Sequence, residues 1–350
     1  MPTTLKDVAA TAGVSIATAS LVINGKNGIS TKTRQRVLQA AEDLNYKIRN
    51  LNDSNSESKK KTILFLKIAM HGHIVNRDHN IFISDYIDGM FQAVKERNYK
   101  LEIATIKNET IEQIISFILQ RKPDGLVLLG TEFSQNDVLA LAKIKSLPLV
   151  ILDTYFENMD MNFVDMNNND AVFKVIAYLE SVGVNNIGLI ESKIDSGNFH
   201  LRKQAFLSSM QLFGKKASSD FILHVDSTFN GAYKDMSNYL AKGIDLPDCF
   251  FCMNDIISYG CIKALKEKGI RIPEDISIIG FDNLPMSATM EPPLTTVDIS
   301  KQMMGHYAII LLDELLHSSD SNVESAVKIL IGANLVCRKS VKGDPEVAIR

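Results

Sequence analysis

A short segment near the N-terminus places apolar and hydroxyl side chains at helical spacing. Residues at i, i+1, i+4 and i+5 share one face of an α-helix. In a helix over residues 16–23, that face holds Ile16, Ala17, Ser20 and Leu21. The apolar side chains can contact thymine methyl groups in the major groove of DNA, but they cannot donate a hydrogen bond to guanine. The pattern favours DNA recognition, and an ordinary helical bundle that happens to expose Ile16 and Leu21 is the alternative.

Polar residues around this helix have the chemistry that phosphate contacts need. Such contacts fix the register of a protein on DNA without reading its sequence. The candidates are Ser15, Thr18, Asn24, Ser30, Thr33 and Arg34. Ser15 and Ser30 can also cap helices, because a serine hydroxyl accepts a hydrogen bond from an unpaired amide of the first helical turn.

Three short helices must position these residues. The sequence predicts helices over 5–12, 16–23 and from Ser30 to about Asn45, with a tight turn at Gly13 between the first two. A helix, a tight turn and a second short helix form a helix-turn-helix, whose second helix enters the major groove. Its predicted core consists of Val8, Ala12, Val14, Ala19, Val22, Ile23, Val37, Leu38, Ala41 and Leu44.

The charge of the chain is unevenly distributed. Residues 1–61 contain ten Lys and Arg against five Asp and Glu, a net charge of +5. The whole chain carries −3, so residues 62–350 carry −8. A basic head on an acidic body points toward nucleic acid or an anionic surface as the partner of the head. Residues 47–61 contain few large apolar side chains and are predicted to be a hinge or linker.

Composition limits the class of protein. The chain has 350 residues, 45% of them hydrophobic and 23% charged, which excludes a wholly disordered or collagen-like protein and suggests two or three domains. We expect no transmembrane helix, because no run of about 18 apolar residues occurs. The N-terminus does not resemble a secretory signal, and four cysteines are too few for a disulfide scaffold. A cytoplasmic protein is expected.

From Thr62 onward, apolar runs alternate with amphipathic helical stretches. The sequence predicts strands over 63–66, 101–106, 124–129, 149–152, 187–191, 221–225, 249–253 and 276–281. It predicts helices over 86–97, 111–120, 170–182, 202–213, 230–242 and 256–268. Alternation of this kind indicates an α/β fold with parallel sheets, and two successive series indicate two similar lobes. Ligands of such folds bind at the carboxyl ends of the strands.

The chain resembles the lactose/galactose repressor (LacI/GalR) family over residues 3–340. The resemblance is carried by residues 5–26 and 29–46 in the head and by 80–82 with Gly89 in the body. It continues through residues 254–283, 292–297 and 335–340. The family implies a headpiece over 1–46, a hinge over 47–61, a two-lobed periplasmic-binding-protein-like domain for effector binding and dimerisation over 62–340, and a tail over 341–350.

This resemblance implies a DNA-binding transcription regulator, in particular a homodimeric repressor. Its partners would be double-stranded operator DNA and a small effector bound between the lobes, with sugars as the usual class. No cofactor, no membrane and no enzymatic activity are expected. The alternatives are a cytoplasmic sugar-binding protein without specific DNA readout and an enzyme built from two α/β lobes.

The chain departs from the family in two respects, at Leu21 and in the linker. The family often has Arg where this chain has Leu21, so the guanine contact of that Arg is missing. The linker lacks the Pro and the apolar run of the hinge helix that wedges a Leu into the minor groove. The position of that Leu falls on Asn55, and Leu51 lies about one turn too early. Lys59, Lys60 and Lys61 would add non-specific phosphate affinity or only solubilise the linker.

The resemblance also implies effector-binding residues in the body. A sugar site needs carboxylates and amides for the hydroxyl groups and an aromatic face for the C–H side. Asp282, Asn254 and Asp153 each follow a predicted strand, and Arg202 can bind two hydroxyls at once. The candidate aromatic faces are Phe82, Phe229 and Tyr155. We expect Asp255 to cap the helix over 256–268 instead of binding the effector.

Two constellations are set aside. Cys249 and Cys252 form a Cys-x-x-Cys pair, but they lie within one predicted strand, so their thiols point to opposite faces and cannot share a metal ion. The other constellation is a polar loop containing His71, His73 and His79. A zinc site there is the weaker interpretation, and no metal site is predicted.

Overall fold

The computed structural model describes residues 3–23, 29–44, 46, 60–72, 75–141, 144, 147–317 and 325–343. It divides into two compact units, Met1–Lys60 and Lys61–Arg350. The first unit contains helices α1 (Leu5–Thr11), α2 (Ile16–Ile23) and α3 (Thr31–Asp43), which confirms the three predicted helices within one or two residues. Thr4 and Asp7 form a capping box at the start of α1.

A small core holds the three helices together. Its buried side chains are those of Val8, Ala9, Ala12, Ala19, Val22, Val37, Ala40 and Ala41. Val14, Ile23 and Leu44 pack against this core while half-buried. The prediction that Leu38 belongs to this core is wrong, because Leu38 is 41% exposed. The buried face of α3 is therefore narrower than the spacing of its apolar residues suggested.

The second unit begins with a parallel sheet. Its elements, in chain order, are β1 (Thr62–Ala69), α4 (Asn80–Glu96), β2 (Lys100–Lys107), α5 (Ile111–Arg121), β3 (Gly125–Leu129), α6 (Gln135–Leu141), β4 (Leu149–Leu152) and β5 (Phe163–Met166). Helix α4 starts at Asn80, well before the predicted start, and so carries Phe82 in its first turn. Strand β5 and helix α6 were not predicted.

A second series of strands and helices follows. It comprises α7 (Asn168–Ser181), β6 (Ile187–Ser192), α8 (Gly197–Leu212), a 3₁₀ turn (Ser219–Phe221), β7 (Ile222–Val225), α9 (Phe229–Ala241), β8 (Cys249–Cys252), α10 (Asp255–Glu267), β9 (Ser277–Phe281), α11 (Pro285–Thr289) and β10 (Thr295–Ile299). The described chain then continues through α12 (Lys301–His317), β11 (Lys328–Ile331) and β12 (Ala333–Val336).

The described strands form two sheets of six with corresponding strand orders. The first has the order β11-β5-β4-β3-β1-β2, and the second has the order β12-β10-β9-β8-β6-β7. All described pairs are parallel except β10 with β12, which is antiparallel. We call the two sheets with their helices the first and the second lobe. In each lobe the strand order reverses beside the first strand, where ligands of such sheets bind.

The two lobes are joined by three crossings of the chain. The crossings lie between β5 and α7, between β10 and α12, and at Gly332 between β11 and β12. Helix α12 thus returns to the first lobe and packs closely on α4. A Cβ added at Gly89 would lie 1.9 Å from the carbonyl oxygen of Gln302, and one at Gly305 would lie 2.0 Å from that of Tyr86. Glycine at both positions allows this contact, which fixes α4 at the edge of the interlobe cleft.

None of the helices in the described ranges is long and apolar enough to cross a membrane on its own. Helices α1 and α2 reach the length and apolar composition of a membrane span only when they are counted together, and the angle between them is 105°.

Candidate functional site

Helix α2 presents the predicted recognition face to solvent. Ile16 is 50% exposed and Leu21 is 42% exposed, whereas Ala19 on the opposite side is buried in the headpiece core. Ala17 is also exposed, and Ser20 is half-buried. The spacing argument therefore placed these side chains on the correct sides of the helix.

Two pairs of hydroxyl residues start helices in the same way. The Ser15 hydroxyl accepts a hydrogen bond from the backbone amide of Thr18 at 3.0 Å, and its Oγ lies 2.8 Å from Thr18 Oγ1. Ser30 accepts from the amide of Thr33 at 3.2 Å, with the two hydroxyl oxygens 2.8 Å apart. Both predicted caps are thus present. Arg34 is half-buried on α3, and Asn24 lies outside the described residues.

The turn of the helix-turn-helix is held by a residue that the sequence analysis did not single out. Arg36 on α3 donates from Nη2 to the carbonyl oxygen of Ala12 and, at 3.4 Å, to that of Gly13. Gly13 has φ +63°, in the left-handed region that favours glycine. Because Arg36 lies 24 residues from Ala12, local spacing gives no signal for this contact.

The strand ends of both lobes meet at a small cavity of about 40 Å³. We call it the inner cavity. Five of the six predicted effector-binding residues line it: Phe82, Asp153, Arg202, Asn254 and Asp282. The sixth, Phe229, is not brought to it. It is the first residue of α9 and packs half-buried against the core.

Arg202 lines the inner cavity and is 3% exposed. Its guanidinium donates to Asn168 Oδ1 at 2.9 Å and to the carbonyl oxygen of Met253 at 2.7 Å. It stacks on the Phe281 ring, with 3.7 Å from Cζ to the ring centroid. The nearest Arg202 nitrogen is 3.9 Å from Asp282 Oδ1. Arg202 is thus fixed by the protein and has little freedom to reorient.

Asp282 presents an unused acceptor in the inner cavity. It is 4% exposed, and its Oδ1 accepts no hydrogen bond from the described residues. Burial raises the pKa of Asp282 to about 7, and the charge of Arg202 opposes this shift. The Asp282 backbone carbonyl accepts from Lys301 Nζ at 2.6 Å. A buried acceptor of this kind can bind an N–H or O–H donor of a ligand.

Two carboxyl groups, those of Asp153 and Asp165, lie where the lobes touch. Asn198 on α8 of the second lobe donates from Nδ2 to Asp153 Oδ1 and to Asp165 Oδ1, both at 3.1 Å. Burial raises the pKa of Asp153 to about 6 and that of Asp165 to about 8, the nearby Asp153 charge adding to the latter. Thr131 also donates to Asp153. Asp165 and Asn198 were missed because the unpredicted β5 and an early start of α8 bring them together.

Asn254 and His79 join the two lobes at another point. Asn254 caps α10 by accepting from the amide of Ile257 at 2.9 Å, and its Nδ2 lies 3.2 Å from His79 Nε2. Burial lowers the pKa of His79 to about 4. A neutral His79 can accept from Asn254 at Nε2 while donating from Nδ1 to Asn76 Oδ1, 3.1 Å away.

The expectation that Asp255 caps α10 is wrong, since Asn254 occupies the cap. Asp255 is the first helical residue and is fully buried. Its carboxylate accepts from the amide of Leu284 at 2.8 Å and from the hydroxyls of Ser287 and Thr296, each at 2.6 Å. It therefore ties α10 to the segment after β9.

A larger cavity of about 610 Å³ adjoins the inner one. We call it the outer cavity. Ser196 lines both cavities. Tyr155, the remaining aromatic candidate, lines the outer cavity and not the inner one.

Within the described ranges, no group of three or more His, Cys, Asp or Glu could hold a metal ion. His71 lies 3.4 Å from Glu132, and His73 is outside these ranges. Cys249 and Cys252 are buried free thiols on β8, and burial raises the pKa of both.

Comparison with known proteins identifies the family. The model of bacterial regulatory proteins of the lacI family matches residues 4–48, and that of a periplasmic binding protein-like domain matches residues 176–341. The HTH-type transcriptional repressor PurR of Pasteurella multocida (strain Pm70) is 32% identical over 341 residues, 97% of this chain and 98% of the relative. The chain belongs to the lacI family of bacterial regulatory proteins.

Further known proteins resemble the chain along its length. PurR of Haemophilus influenzae (strain ATCC 51907) is 30% identical over 97% of this chain and 98% of the relative. Two solved structures share the fold at 22% identity and a TM-score of 0.70, covering 97% of this chain and 99% of theirs. They are a complex of the regulator CelR with cellobiose and a lac repressor dimer bound to operator and the anti-inducer ONPF.

Membership in the lacI family agrees with the recognition face of α2. This chain is a DNA-binding transcription regulator, with a helix-turn-helix headpiece and a periplasmic-binding-protein-like α/β domain. The expectation that it is not an enzyme agrees with its relatives, which are transcriptional repressors.

Proposed function

We propose that the chain is a cytoplasmic repressor that binds its operator as a homodimer and is controlled by an effector bound between the lobes. The observation that carries the proposal is the exposed face of α2, where Ile16, Ala17 and Leu21 stand beside the hydroxyls of Ser15 and Thr18. Apolar side chains can contact base edges, and hydroxyl groups can bind phosphates. Ser20, Asn24, Ser30, Thr33 and Arg34 complete the proposed DNA-binding set.

A homodimer follows from the energetics of DNA recognition. One short helix contacts only a few base pairs, so specific affinity requires two headpieces on the halves of a pseudo-palindromic site. The net charge of +5 on residues 1–61 provides a modest electrostatic attraction for each headpiece.

The proposed effector is a small, neutral polar ring, with a purine base as the first candidate. Its proposed contacts are the buried Asp282 acceptor, the Arg202 guanidinium and the amide of Asn254, with Phe82 providing an aromatic face. Asp153 would contribute through its carboxyl group. The relatives named PurR favour a purine-type ligand, whereas the resemblance alone favoured a sugar. Sugars remain the second candidate, because a lacI-family neighbour from Enterococcus faecium carries bound ribose.

Effector binding would act on DNA affinity through the relative position of the lobes. The inner cavity is formed by residues of both lobes, so a ligand there changes the free energy of lobe closure. By linkage, operator DNA then changes the effector affinity by the same factor.

Two experiments test the proposal. Selection from random duplexes, followed by fluorescence anisotropy over a salt series, should yield a two-fold-related sequence bound about 10³-fold or more tightly than random duplex. Equal affinity for all duplexes would contradict specific readout and favour the alternative of a sugar-binding protein.

The effector is tested separately by thermal shift. A ligand that binds only the folded state raises the melting temperature by mass action. Purine bases should produce the largest shifts in a panel of bases and sugars. A panel in which only sugars shift the melting temperature would overturn the purine assignment and support the second candidate.

A further inference from the structure

We propose that the outer cavity binds a second, hydroxylated ring of the effector and excludes phosphorylated ligands. The effector would then have two parts joined by a glycosidic bond, such as a nucleoside or a disaccharide. The inference rests on the proposed function, since it assigns the chemical class of the ligand that enters the same cleft.

The volumes of the two cavities motivate this division. Sites for small molecules usually have about 300–1,000 Å³. The inner cavity, with about 40 Å³, is far below that range. The outer cavity, with about 610 Å³, lies within it. A ligand that reaches the polar groups of the inner cavity therefore has most of its available space in the outer one.

The two cavities meet at the start of α8. Ser196 lines both, and its hydroxyl is engaged in capping α8 by accepting from the amide of Phe199 at 3.3 Å. Gly197 follows it, and a Cβ added there would lie 2.5 Å from Thr154 Oγ1. The segment is thus packed closely against the end of β4, and glycine keeps side-chain bulk out of the junction.

The walls of the outer cavity offer the groups that bind a sugar ring. Tyr155 and Phe156 line one wall, and each packs edge-on against Phe163 with ring centroids 6.1 Å apart. The facing wall on α8 carries His200 and Gln204, which are 2.8 Å apart. Aromatic faces pack on the C–H side of a sugar ring, and the amide can bond its hydroxyls.

The charge of the outer cavity distinguishes neutral from phosphorylated ligands. Its charged lining residues are Glu132, Asp137, Glu157 and Asp195, and no Lys or Arg is among the described residues that line it. Glu132 already accepts from the amides of His71, Gly72 and Val75, so it contributes charge more than free bonding capacity. Lys328 stands beside this wall, with Nζ donating to the Glu157 carbonyl oxygen at 2.6 Å and lying 5.7 Å from the Tyr155 ring centroid. One neighbouring cation against four carboxylates leaves a net repulsion for a phosphate.

Isothermal titration calorimetry of the full chain tests the inference. The probes are hypoxanthine, inosine and inosine 5′-monophosphate in one arm, and glucose, cellobiose and glucose 6-phosphate in the other. In the arm that matches the effector, the two-ring ligand should bind about tenfold or more tightly than its single-ring part. Each phosphorylated ligand should bind more weakly than its own unphosphorylated form, inosine 5′-monophosphate against inosine and glucose 6-phosphate against glucose.

Variants locate the effect in the outer cavity. Tyr155→Ala and the exposed Gln204→Ala should each weaken binding of the two-ring ligand about fivefold or more and leave binding of the single ring unchanged. Tyr307→Ala, which removes a 38% exposed tyrosine on α12 outside both cavities, is the matched control and should change neither. Because Gln204 is exposed, its variant tests the site even where Tyr155→Ala impairs folding.

Three results would overturn the inference while the proposed function stands. They are equal affinities for the one-ring and two-ring ligands, equal weakening of both by Tyr155→Ala and Gln204→Ala, and undiminished binding of the phosphorylated form. Failure of every base, nucleoside and sugar to bind would instead contradict the proposed effector site, and this inference with it.

Discussion

The headpiece and the two lobes place the side chains proposed to bind ligands in opposite environments. In the headpiece, the core among described residues consists of small side chains, Ala and Val, while Ile16 and Leu21 face solvent. In the lobes, Arg202 and Asp282 are 3% and 4% exposed and lie within the packed interior. The proposed DNA contacts are therefore separable from folding in the headpiece, whereas in the lobes the proposed effector contacts come from side chains that also belong to the packed interior.

The difference follows from the two kinds of ligand. A DNA duplex is approached from outside, so residues that read it must project from the surface. A small effector bound between two lobes is enclosed, so the groups that bind it lie in the protein interior, and buried charges destabilise a fold unless they are paired. Substitutions should reveal this contrast as a difference between effects on stability and effects on binding.

The largest effect on stability is expected for Arg202→Met. Removing the guanidinium takes away the stronger of the two positive charges near the Asp282 carboxyl, the other being Lys301, and leaves the Met253 carbonyl without its donor. Breaking a buried pair of this kind costs about 3–5 kcal/mol. Urea denaturation of the full chain would measure it. The control is Arg271→Met, an exposed residue paired with Asp275, which should leave the urea midpoint nearly unchanged. If Arg202→Met changed the free energy of unfolding as little as Arg271→Met does, the contrast between the headpiece and the lobes would be contradicted.

A smaller effect, dependent on pH, is expected for Asp165→Asn. The pKa of Asp165 is raised to about 8, above the value of an unfolded chain. The folded state therefore holds this proton more tightly, and the stability that it contributes is lost as pH rises toward and through 8. Through this group the melting temperature of the native chain should fall as pH rises from about 5 to 8 and level off above 8, and Asp165→Asn should flatten that fall. The exposed Asp275→Asn should leave it unchanged, and an equally steep fall in Asp165→Asn would contradict the assignment.

Gly13→Ala should destabilise the headpiece locally. A left-handed conformation costs a residue with a Cβ about 1–2 kcal/mol, and the added Cβ would lie 2.9 Å from Arg36 Nη2. Hydrogen exchange of the α1 and α2 amides should accelerate, while exchange in the lobes stays the same. Gly13→Asn is the control, because Asn tolerates this conformation better and should show a smaller change. Unchanged hydrogen exchange in Gly13→Ala would contradict the claim that a Cβ at this position strains the turn.

The smallest effect on stability is expected for Leu21→Ala. Leu21 is 42% exposed, and surface substitutions usually change stability by less than about 0.5 kcal/mol. Affinity for the selected operator should nevertheless fall by about 1–3 kcal/mol, because a contact to base edges is lost. Anisotropy titration and thermal melting of the same sample would separate the two quantities. An unchanged operator affinity would exclude Leu21 from the recognition face.

The same contrast explains how far the sequence predicts the structure. The exposed side of α2 could be predicted because helical spacing alone decides which side of the helix a residue occupies. Asp153 and Asp282 could be predicted because each directly follows a strand, and parallel strands end at one edge of a sheet. In both cases the information is local.

The remaining features depend on contacts between distant parts of the chain. Asn198 meets Asp165, and His79 meets Asn254, only because the chain crosses between the lobes three times. The error at Asp255 is a shift of one residue, since Asn and Asp are both good caps and only the observed hydrogen bond to Ile257 assigns the role. Phe229 lies at a helix start that the sequence placed correctly within one residue, but the side chain packs into the core.

The coupling between the two regions can be measured directly. The affinity of the full chain for its selected operator would be determined with and without a saturating concentration of the effector found by thermal shift. The effector affinity would then be determined with and without operator. The account predicts that both affinities change by the same factor, between about 5 and 150. An effector that saturates the lobes and leaves operator affinity unchanged would contradict it.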